Sequence, residues 1–175
     1  LIEYGHIDFG ENKVQEAMNK WPNLISKKKN VKLHMIGKLQ TNKVKHAVSL
    51  FDYIHSLDNK KLAERIANEQ LKQNKSLKLF IQVNIGDEMQ KSGINKNNLL
   101  DLIEFCKDLN LNIIGLMCIP PTNLSPENYF KEIRSLNFKF KLNELSMGMS
   151  SDYLVAIENS STYLRIGSKI FGKRV

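Results

Sequence analysis

Short apolar runs alternate with amphipathic stretches along the chain, and this regular alternation limits the possible folds more than any other feature. The runs have the length and the β-branched or aromatic content of strands. They comprise residues 6–9, 33–36, 53–57, 77–85, 113–119, 144–147 and 163–166. Because continuous apolar strands separated by helices are covered on both faces, the pattern predicts an α/β protein with a parallel sheet.

The intervals between these strands predict helices, since their apolar side chains recur three and four residues apart. Asp58, Ser125 and Ser150 have the side-chain oxygens of N-caps, and Pro126 suits the first turn of a helix. We therefore expect helices to begin at these positions. Gly10 is expected to end the first strand.

Two architectures fit the alternation: an open doubly wound sheet and a (β/α)₈ barrel that is short of one unit. The turn after the first strand, at residues 10–12, lacks the glycine pattern of a dinucleotide-binding sheet. Seven strands in 175 residues give about 25 residues per unit, close to the ~30 of a barrel repeat. We favour the barrel, with residues 1–175 as a single domain. The chain begins at Leu1, without Met, in helix-like sequence, so we expect the first β/α unit to be missing.

The composition is that of a globular protein, with 42% hydrophobic and 25% charged residues. No apolar run approaches the ~20 residues of a membrane helix, and no signal peptide is visible, so no membrane association is expected. Cys106 and Cys118 lie in apolar contexts without a metal-ligand spacing. They predict buried thiols in a reducing, cytoplasmic compartment, and no metal site is expected.

The net charge of +8 raises nucleic acid as a partner, but the kind of basic residue argues against it. Of the 26 basic residues only four are arginines, the side chain that grips phosphates and base edges with two donors at once. The densest lysine run, residues 27–29, predicts a surface loop. Nucleic-acid binding is therefore an unfavoured alternative.

Ligands of such barrels bind at the C-terminal ends of the strands, and a phosphate site follows the last two strands. The loops there contain Gly148 with Ser150 and Gly167 with Ser168, whose small residues let backbone N–H groups approach an anion. Arg165 precedes Gly167 by two positions and shares its side of the strand. Its guanidinium either faces the mouth of the barrel, or it pairs with a carboxylate or points outward between helices. The position alone leaves these alternatives open.

Six ordered segments resemble the YggS/PROSC-type pyridoxal phosphate homeostasis proteins, and they extend over essentially the whole chain. They are Phe-Gly-Glu-Asn with Val-Gln-Glu at residues 9–16, His-Met-Ile-Gly-Lys-Leu-Gln-Thr-Asn-Lys at 34–43, Lys-Ser-Gly at 91–93, Gly-Leu-Met at 115–117, Leu-Ser-Met-Gly-Met-Ser at 145–150, and Arg-Ile-Gly-Ser with Phe-Gly at 165–172.

The resemblance implies pyridoxal 5′-phosphate as the cofactor, in a fold type III barrel like the N-terminal domain of alanine racemase. It assigns Ser146 and the backbone of Gly167 and Ser168 to the phosphate, and Arg165 to the pyridine nitrogen. A cation there keeps the nitrogen unprotonated and weakens the ring as an electron sink. Gly148 is a further expected cofactor-binding residue. Asn12 would approach the ring substituents and Ile36 would pack on a ring face. From the residues alone, Ile36 is equally a core isoleucine and Asn12 a turn or cap residue.

The family's Schiff-base lysine belongs to a first-strand segment that is expected upstream of Leu1, so covalent attachment through it is not possible in this chain. Lys38 and Lys91 are hypothesised secondary contacts for the cofactor aldehyde; surface lysines are the alternative. We expect the chain as given to bind the cofactor weakly or not at all.

The resulting functional prediction is a monomeric, non-enzymatic protein of cofactor homeostasis that delivers pyridoxal phosphate to apo-enzymes. A low-activity amino-acid racemase of the same fold is the alternative. A basic RNA-binding protein ranks third, since no motif for nucleic acid is present.

Overall fold

The computed structural model describes residues 1–25 and 30–172. The strands are β1 Asp8–Glu11, β2 Lys32–Met35, β3 Tyr53–Leu57, β4 Lys78–Val83, β5 Ile113–Cys118, β6 Glu144–Met149 and β7 Tyr163–Arg165. The helices are α1 Val14–Lys20, α2 Pro22–Ile25, α3 Val44–Leu50, α4 Lys60–Gln73, α5 Leu99–Asp108, α6 Glu127–Lys139, α7 Tyr153–Glu158 and α8 Ser168–Phe171. Short 3₁₀ turns form at Ile2–Tyr4, Thr41–Lys43 and Lys96–Asn98. The predicted lysine-rich loop at 27–29 lies outside the described residues.

The seven strands form one parallel sheet in sequential order, from β1 to β7. The alternation of strands and helices predicted this arrangement, and the structure confirms it. In the part of the chain that the structure describes, β1 and β7 each pair with a single neighbouring strand.

The sheet curls into a barrel, as contacts across its interior show. The ring of Tyr163 on β7 lies 5.7 Å from the ring of His34 on β2 and 5.3 Å from that of Phe80 on β4, between centroids. In a flat sheet, β7 and β2 would be five strand spacings apart, or roughly 24 Å. The structure therefore confirms the barrel and excludes the open doubly wound sheet.

The barrel has two apolar layers because the strands are buried on both faces. The larger layer lies between the strands and the helices and includes Leu33, Ile54 and Phe130. The smaller one fills the barrel interior around Tyr53, Phe80 and Met117. On β3 the alternation places Tyr53 inside and Ile54 outside, and every residue of this strand is buried. The interior layer is the one that reaches the candidate site.

The first strand differs from its prediction, since it extends over Asp8–Glu11 rather than residues 6–9. Gly10 lies within the strand instead of ending it. A Cβ at this position would lie 2.8 Å from Cδ1 of Ile36, so the glycine makes room for the Ile36 side chain. The glycine at this position is required by close packing and does not mark the end of the strand.

The three predicted N-caps are wrong by one or two residues. Asn59, not Asp58, caps α4, with its Oδ1 accepting from the Leu62 N–H at 2.9 Å. Asp58 Oδ2 instead accepts from the Gly93 N–H at 3.3 Å, across to the loop after β4. Both Asp58 and Asn59 carry acceptors suitable for a cap. Because the Gly93 N–H donates to Asp58, Asn59 is the residue that caps α4.

The helix predicted to start from Ser125 has Pro126 at its N-cap, and no side chain caps it. The N-cap of α7 is Asp152 rather than Ser150. Asp152 Oδ1 accepts from the Met149 N–H at 2.6 Å, which tightens the turn after β6 and leaves Ser150 for another role.

Cys106 and Cys118 are fully buried, as predicted, and burial raises the pKa of each thiol to about 12. Among the described residues, no helix is long and apolar enough to cross a lipid bilayer.

Candidate functional site

Gly148 lies within β6, one residue before its end, and not in the following loop where it was predicted. It has a φ of +91°, and a Cβ there would lie 2.6 Å from the Cβ of Ala156 on α7. Both the left-handed backbone and the lack of space require glycine at this position. This packing accounts for Gly148 without a ligand, so its assignment to the cofactor stays a prediction.

Ser150 joins the loops that follow β6 and β7. Its Oγ accepts from the Gly167 N–H at 3.3 Å and from the Lys169 N–H at 3.4 Å. Gly167 and Ser168 are exposed, and a Cβ at Gly167 would meet no atom within 4 Å. The structure thus places the two predicted phosphate loops side by side, with open space above Gly167.

Arg165 points into the barrel. Its Nη1 donates to Ser146 Oγ at 2.7 Å, and its Nη2 donates to the carbonyl oxygen of Cys118 at 2.8 Å. No described carboxylate forms an ion pair with this guanidinium, and burial lowers the pKa of Arg165 from its ordinary value. Position alone left the direction of this side chain open; the guanidinium lies inside the barrel, so the carboxylate-paired and the outward-pointing alternatives are both wrong.

Ser146 lies deeper than a phosphate ligand at the loops would. It is fully buried, and its Oγ accepts from Arg165 and lies 2.8 Å from Nδ1 of His55. The structure therefore places the hydroxyl between two interior side chains. Its contact with the phosphate stays a prediction. Such a contact would require the hydroxyl to give up at least one of its bonds to Arg165 and His55.

A row of polar side chains continues from Ser146 across the interior, and the sequence analysis missed it. His55 Nε2 lies 3.0 Å from His34 Nδ1, and His34 Nε2 lies 3.0 Å from Asp8 Oδ1. Burial lowers the pKa of both histidines, that of His55 well below its ordinary value; the hydrogen bond to Asp8 opposes the shift at His34. A histidine at the centre of an otherwise apolar strand was the available signal.

Asn12 and Ile36 lie where β1 and β2 end, at the same mouth as Arg165. Asn12 is exposed, and the backbone of Gly37 packs against its carbonyl so closely that a Cβ at Gly37 would overlap it. Ile36 is half-buried above Gly10. The structure brings both residues to the predicted end of the barrel; their contacts with a cofactor stay predictions.

The two candidate lysines differ in their surroundings. Lys38 is exposed. Lys91 is half-buried; its Nζ lies 2.6 Å from Glu88 Oε2 and donates to the carbonyl oxygen of Pro120 at 3.2 Å. An aldehyde could react with Lys91 only after this ion pair is broken. Both secondary contacts remain predictions.

Two surface cavities lie away from this mouth. One, of about 210 Å³, opens at the N-terminal ends of the strands, beside Lys78, Glu144 and Tyr163. The other, of about 380 Å³, lies on the outer helical layer near Asn42 and Arg65. Neither contains a residue predicted for the cofactor.

Comparison with known proteins agrees with this geometry. The model of the alanine racemase N-terminal domain matches residues 1–175. The pyridoxal phosphate homeostasis protein of Aquifex aeolicus is 42% identical over 95% of this chain and 76% of its own length. That of Escherichia coli is 34% identical over 99% of this chain and 78% of its own length.

Solved structures show the same fold. PipY of Synechococcus elongatus, determined with pyridoxal phosphate bound, has a TM-score of 0.90 at 34% identity and covers 98% of this chain and 84% of its own. An alanine racemase of Clostridium difficile has a TM-score of 0.74 at 13% identity, over 99% of this chain and 47% of its own, which is a likeness of fold alone. With seven parallel strands around an inward arginine, this chain belongs to the alanine racemase N-terminal domain family, among the pyridoxal phosphate homeostasis proteins.

Proposed function

We propose that the chain binds pyridoxal 5′-phosphate at the mouth of its barrel and serves in cofactor homeostasis, holding and delivering the cofactor rather than catalysing a reaction. The observation that carries this proposal is Arg165, an interior cation whose described partners are all neutral. Asp152 acts on this guanidinium only as a more distant negative charge, without ion-pair contact. An interior cation that lacks a directly paired carboxylate is costly, which is typical of a binding site rather than of a core.

The residues at the mouth fit the cofactor's ring. A guanidinium has five N–H donors, and Arg165 uses only Nη1 and Nη2 toward described residues. A remaining donor suits an acceptor such as a pyridine nitrogen. When bound, pyridoxal phosphate supplies an aldehyde conjugated to an electron-accepting ring. Because Arg165 donates and does not give up its proton, it would hold the nitrogen unprotonated and limit that electron-accepting power.

The phosphate fits the loops after β6 and β7. Among the described residues, the amides of Gly167 and Lys169 have long bonds to Ser150, and the space above Gly167 is open. Oriented N–H groups and the Ser168 hydroxyl are suitable donors for an anion.

A homeostatic role is supported by the names of the curated relatives, which describe homeostasis proteins and not enzymes. No observation favours the racemase alternative, because the likeness to alanine racemase is one of fold. Delivery to apo-enzymes, the monomeric state, the cytoplasmic location and the absence of nucleic-acid binding stay predictions.

The test is an equilibrium titration of the 175-residue chain with pyridoxal 5′-phosphate, in parallel with Arg165→Leu. Removing a hydrogen bond from a charged group costs about 1.5–3 kcal/mol, so we expect the Kd to rise at least about tenfold. Arg134→Leu, an exposed arginine on α6, is the matched control and should bind like the wild type. No binding by the wild type, or equal binding by Arg165→Leu, would contradict the proposal.

A further inference from the structure

A continuous row of hydrogen-bonding side chains crosses the barrel from its mouth to its base. It runs from Arg165 on β7 through Ser146 on β6, His55 on β3 and His34 on β2 to Asp8 on β1. We propose that His55 is a positioning residue for Arg165, acting through the Ser146 hydroxyl, and that His34 and Asp8 fix the tautomer that makes this possible. The inference rests on the proposed function, in which Arg165 meets the cofactor's ring.

The chemistry of the two ends fixes the direction of the row. Arg165 can only donate, so Ser146 Oγ accepts at 2.7 Å. The carboxylate of Asp8 can only accept, so His34 Nε2 carries the hydrogen that it donates over 3.0 Å. The two hydrogen bonds between them, Ser146 to His55 and His55 to His34, must therefore be consistent with a donor at Arg165 and an acceptor at Asp8.

Between the ends, a single arrangement satisfies every group when both histidines are neutral, as their burial favours. A neutral imidazole has one donor and one acceptor. With Nε2 of His34 donating, its Nδ1 accepts from Nε2–H of His55 at 3.0 Å. Nδ1 of His55 then accepts from the Ser146 hydroxyl at 2.8 Å. The opposite tautomers would place the lone pair of His34 Nε2 against the carboxylate.

This arrangement determines how Ser146 meets Arg165. Since the hydroxyl hydrogen of Ser146 points to His55, an oxygen lone pair is available for Nη1 of Arg165. The Cys118 carbonyl holds Nη2 at 2.8 Å, so two neutral acceptors fix the plane of the guanidinium. The rings of the relay are themselves held by stacking, His55 on Phe80 at 4.3 Å and His34 on Tyr53 at 4.1 Å between centroids. The orientation of the Arg165 guanidinium thus depends on Ser146, His55 and His34, which lie deeper in the barrel than its mouth.

The first test needs no ligand. Long-range ¹H–¹⁵N spectra of the labelled chain at pH 7 report which nitrogen of each histidine carries the hydrogen. We expect Nε2–H for both His34 and His55. An Nδ1–H tautomer at His55, or a charged imidazolium there, would overturn the relay.

The second test uses pyridoxine 5′-phosphate, which lacks the aldehyde and so reports only noncovalent contacts. His55→Phe keeps the stack on Phe80 but removes the acceptor for Ser146, whereas His55→Asn keeps an acceptor near the Nδ1 position. We expect the Kd to rise about fivefold in His55→Phe, the loss of roughly one hydrogen bond, and to recover within about twofold of the wild type in His55→Asn. His46→Asn on α3 is the control and should bind like the wild type.

The absorption of the bound ligand separates positioning from loss of structure, because it reports protonation of the pyridine nitrogen. We expect an unprotonated ring in the wild type and in His55→Asn, and a protonated fraction in His55→Phe. Equal Kd values and equal spectra for His55→Phe and the wild type would overturn the proposal. If the wild type binds no pyridoxine 5′-phosphate, the proposed function fails, and the tautomers still decide whether the relay exists.

Discussion

Several side chains inside the barrel contribute both to the stability of the fold and to the proposed ligand site. Arg165 is an interior cation, and its neutral partners Ser146 and the Cys118 carbonyl orient it without cancelling its charge. Burial lowers the pKa of His55 well below its ordinary value and so favours the neutral ring, which can supply an acceptor where a charged histidine could not. The free energy of unfolding and the affinity for the ligand should therefore respond to the same few residues.

Ser146→Ala should destabilise the chain, because it leaves Nη1 of Arg165 and Nδ1 of His55 without their shared partner. An unsatisfied buried polar group costs about 1–3 kcal/mol, so we expect a loss of that size in the free energy of unfolding. Urea unfolding measures it. Ser135→Ala, at an exposed serine of α6, should change the value by less than about 0.5 kcal/mol, and equal losses in both variants would argue against the account.

The stability of the chain should fall as the pH drops below about 6.5, the ordinary pKa of histidine. In the folded chain, burial lowers the pKa of His34 and His55, so the unfolded chain binds more protons in this window. Stability then rises with pH up to about 6.5, with a slope of at most about 1.4 kcal/mol per pH unit for each histidine. Urea unfolding at pH 7.5 and 5.5 checks this, and His55→Phe should show a weaker dependence. An unchanged free energy of unfolding over this range would contradict it.

At the scale of elements, the glycines near the ends of β6 and β7 resemble each other in sequence context but not in structure. Gly148 has a positive φ and no room for a Cβ, whereas Gly167 has a φ of −120° and open space above it. The first glycine serves packing against α7 and the second leaves the mouth accessible. Packing therefore requires glycine at position 148, whereas no described neighbour requires it at position 167.

Alanine substitutions should separate these two roles. Gly148→Ala places a Cβ 2.6 Å from that of Ala156 and strains the backbone, so we expect a loss of about 2 kcal/mol or more in the free energy of unfolding. Gly167→Ala should cost less than about 1 kcal/mol and should instead weaken ligand binding. Thermal or urea unfolding measures the first effect and titration the second. The reverse order of stabilities would contradict the assignment.

The elements also show how far the sequence alone can lead. The spacing of apolar residues predicted all seven strands, because it is a local periodicity. Alternation placed Arg165 on the same side of its strand as Gly167 but left open whether that side faces the interior. The pairing of His34 with His55 could not be predicted in this way, since it depends on the register between β2 and β3. The cap of α4 was missed because Asp58 and Asn59 carry equivalent acceptors, and the Gly93 N–H, distant in sequence, decides between them.

At the scale of the whole molecule, the barrel brings together residues that are far apart in the chain. Asn12 and Arg165 reach the same mouth because all seven strands are parallel and their C-terminal ends share one edge. The relay from Asp8 to Arg165 connects β1 to β7 through the interior, although each of these strands pairs with only one neighbour in the described part of the chain. The curling of the whole sheet into a barrel, rather than any single loop, creates the candidate site.

The most direct test of the account is an NMR titration of the labelled chain with pyridoxine 5′-phosphate. If the ligand binds at the mouth of the barrel, we expect chemical-shift changes centred on the backbone amides of Gly167 and Ser168 and on the Arg165 side chain, at the C-terminal end of the strands. Changes centred instead on Lys141 and Glu144, beside the cavity at the opposite end, would contradict it.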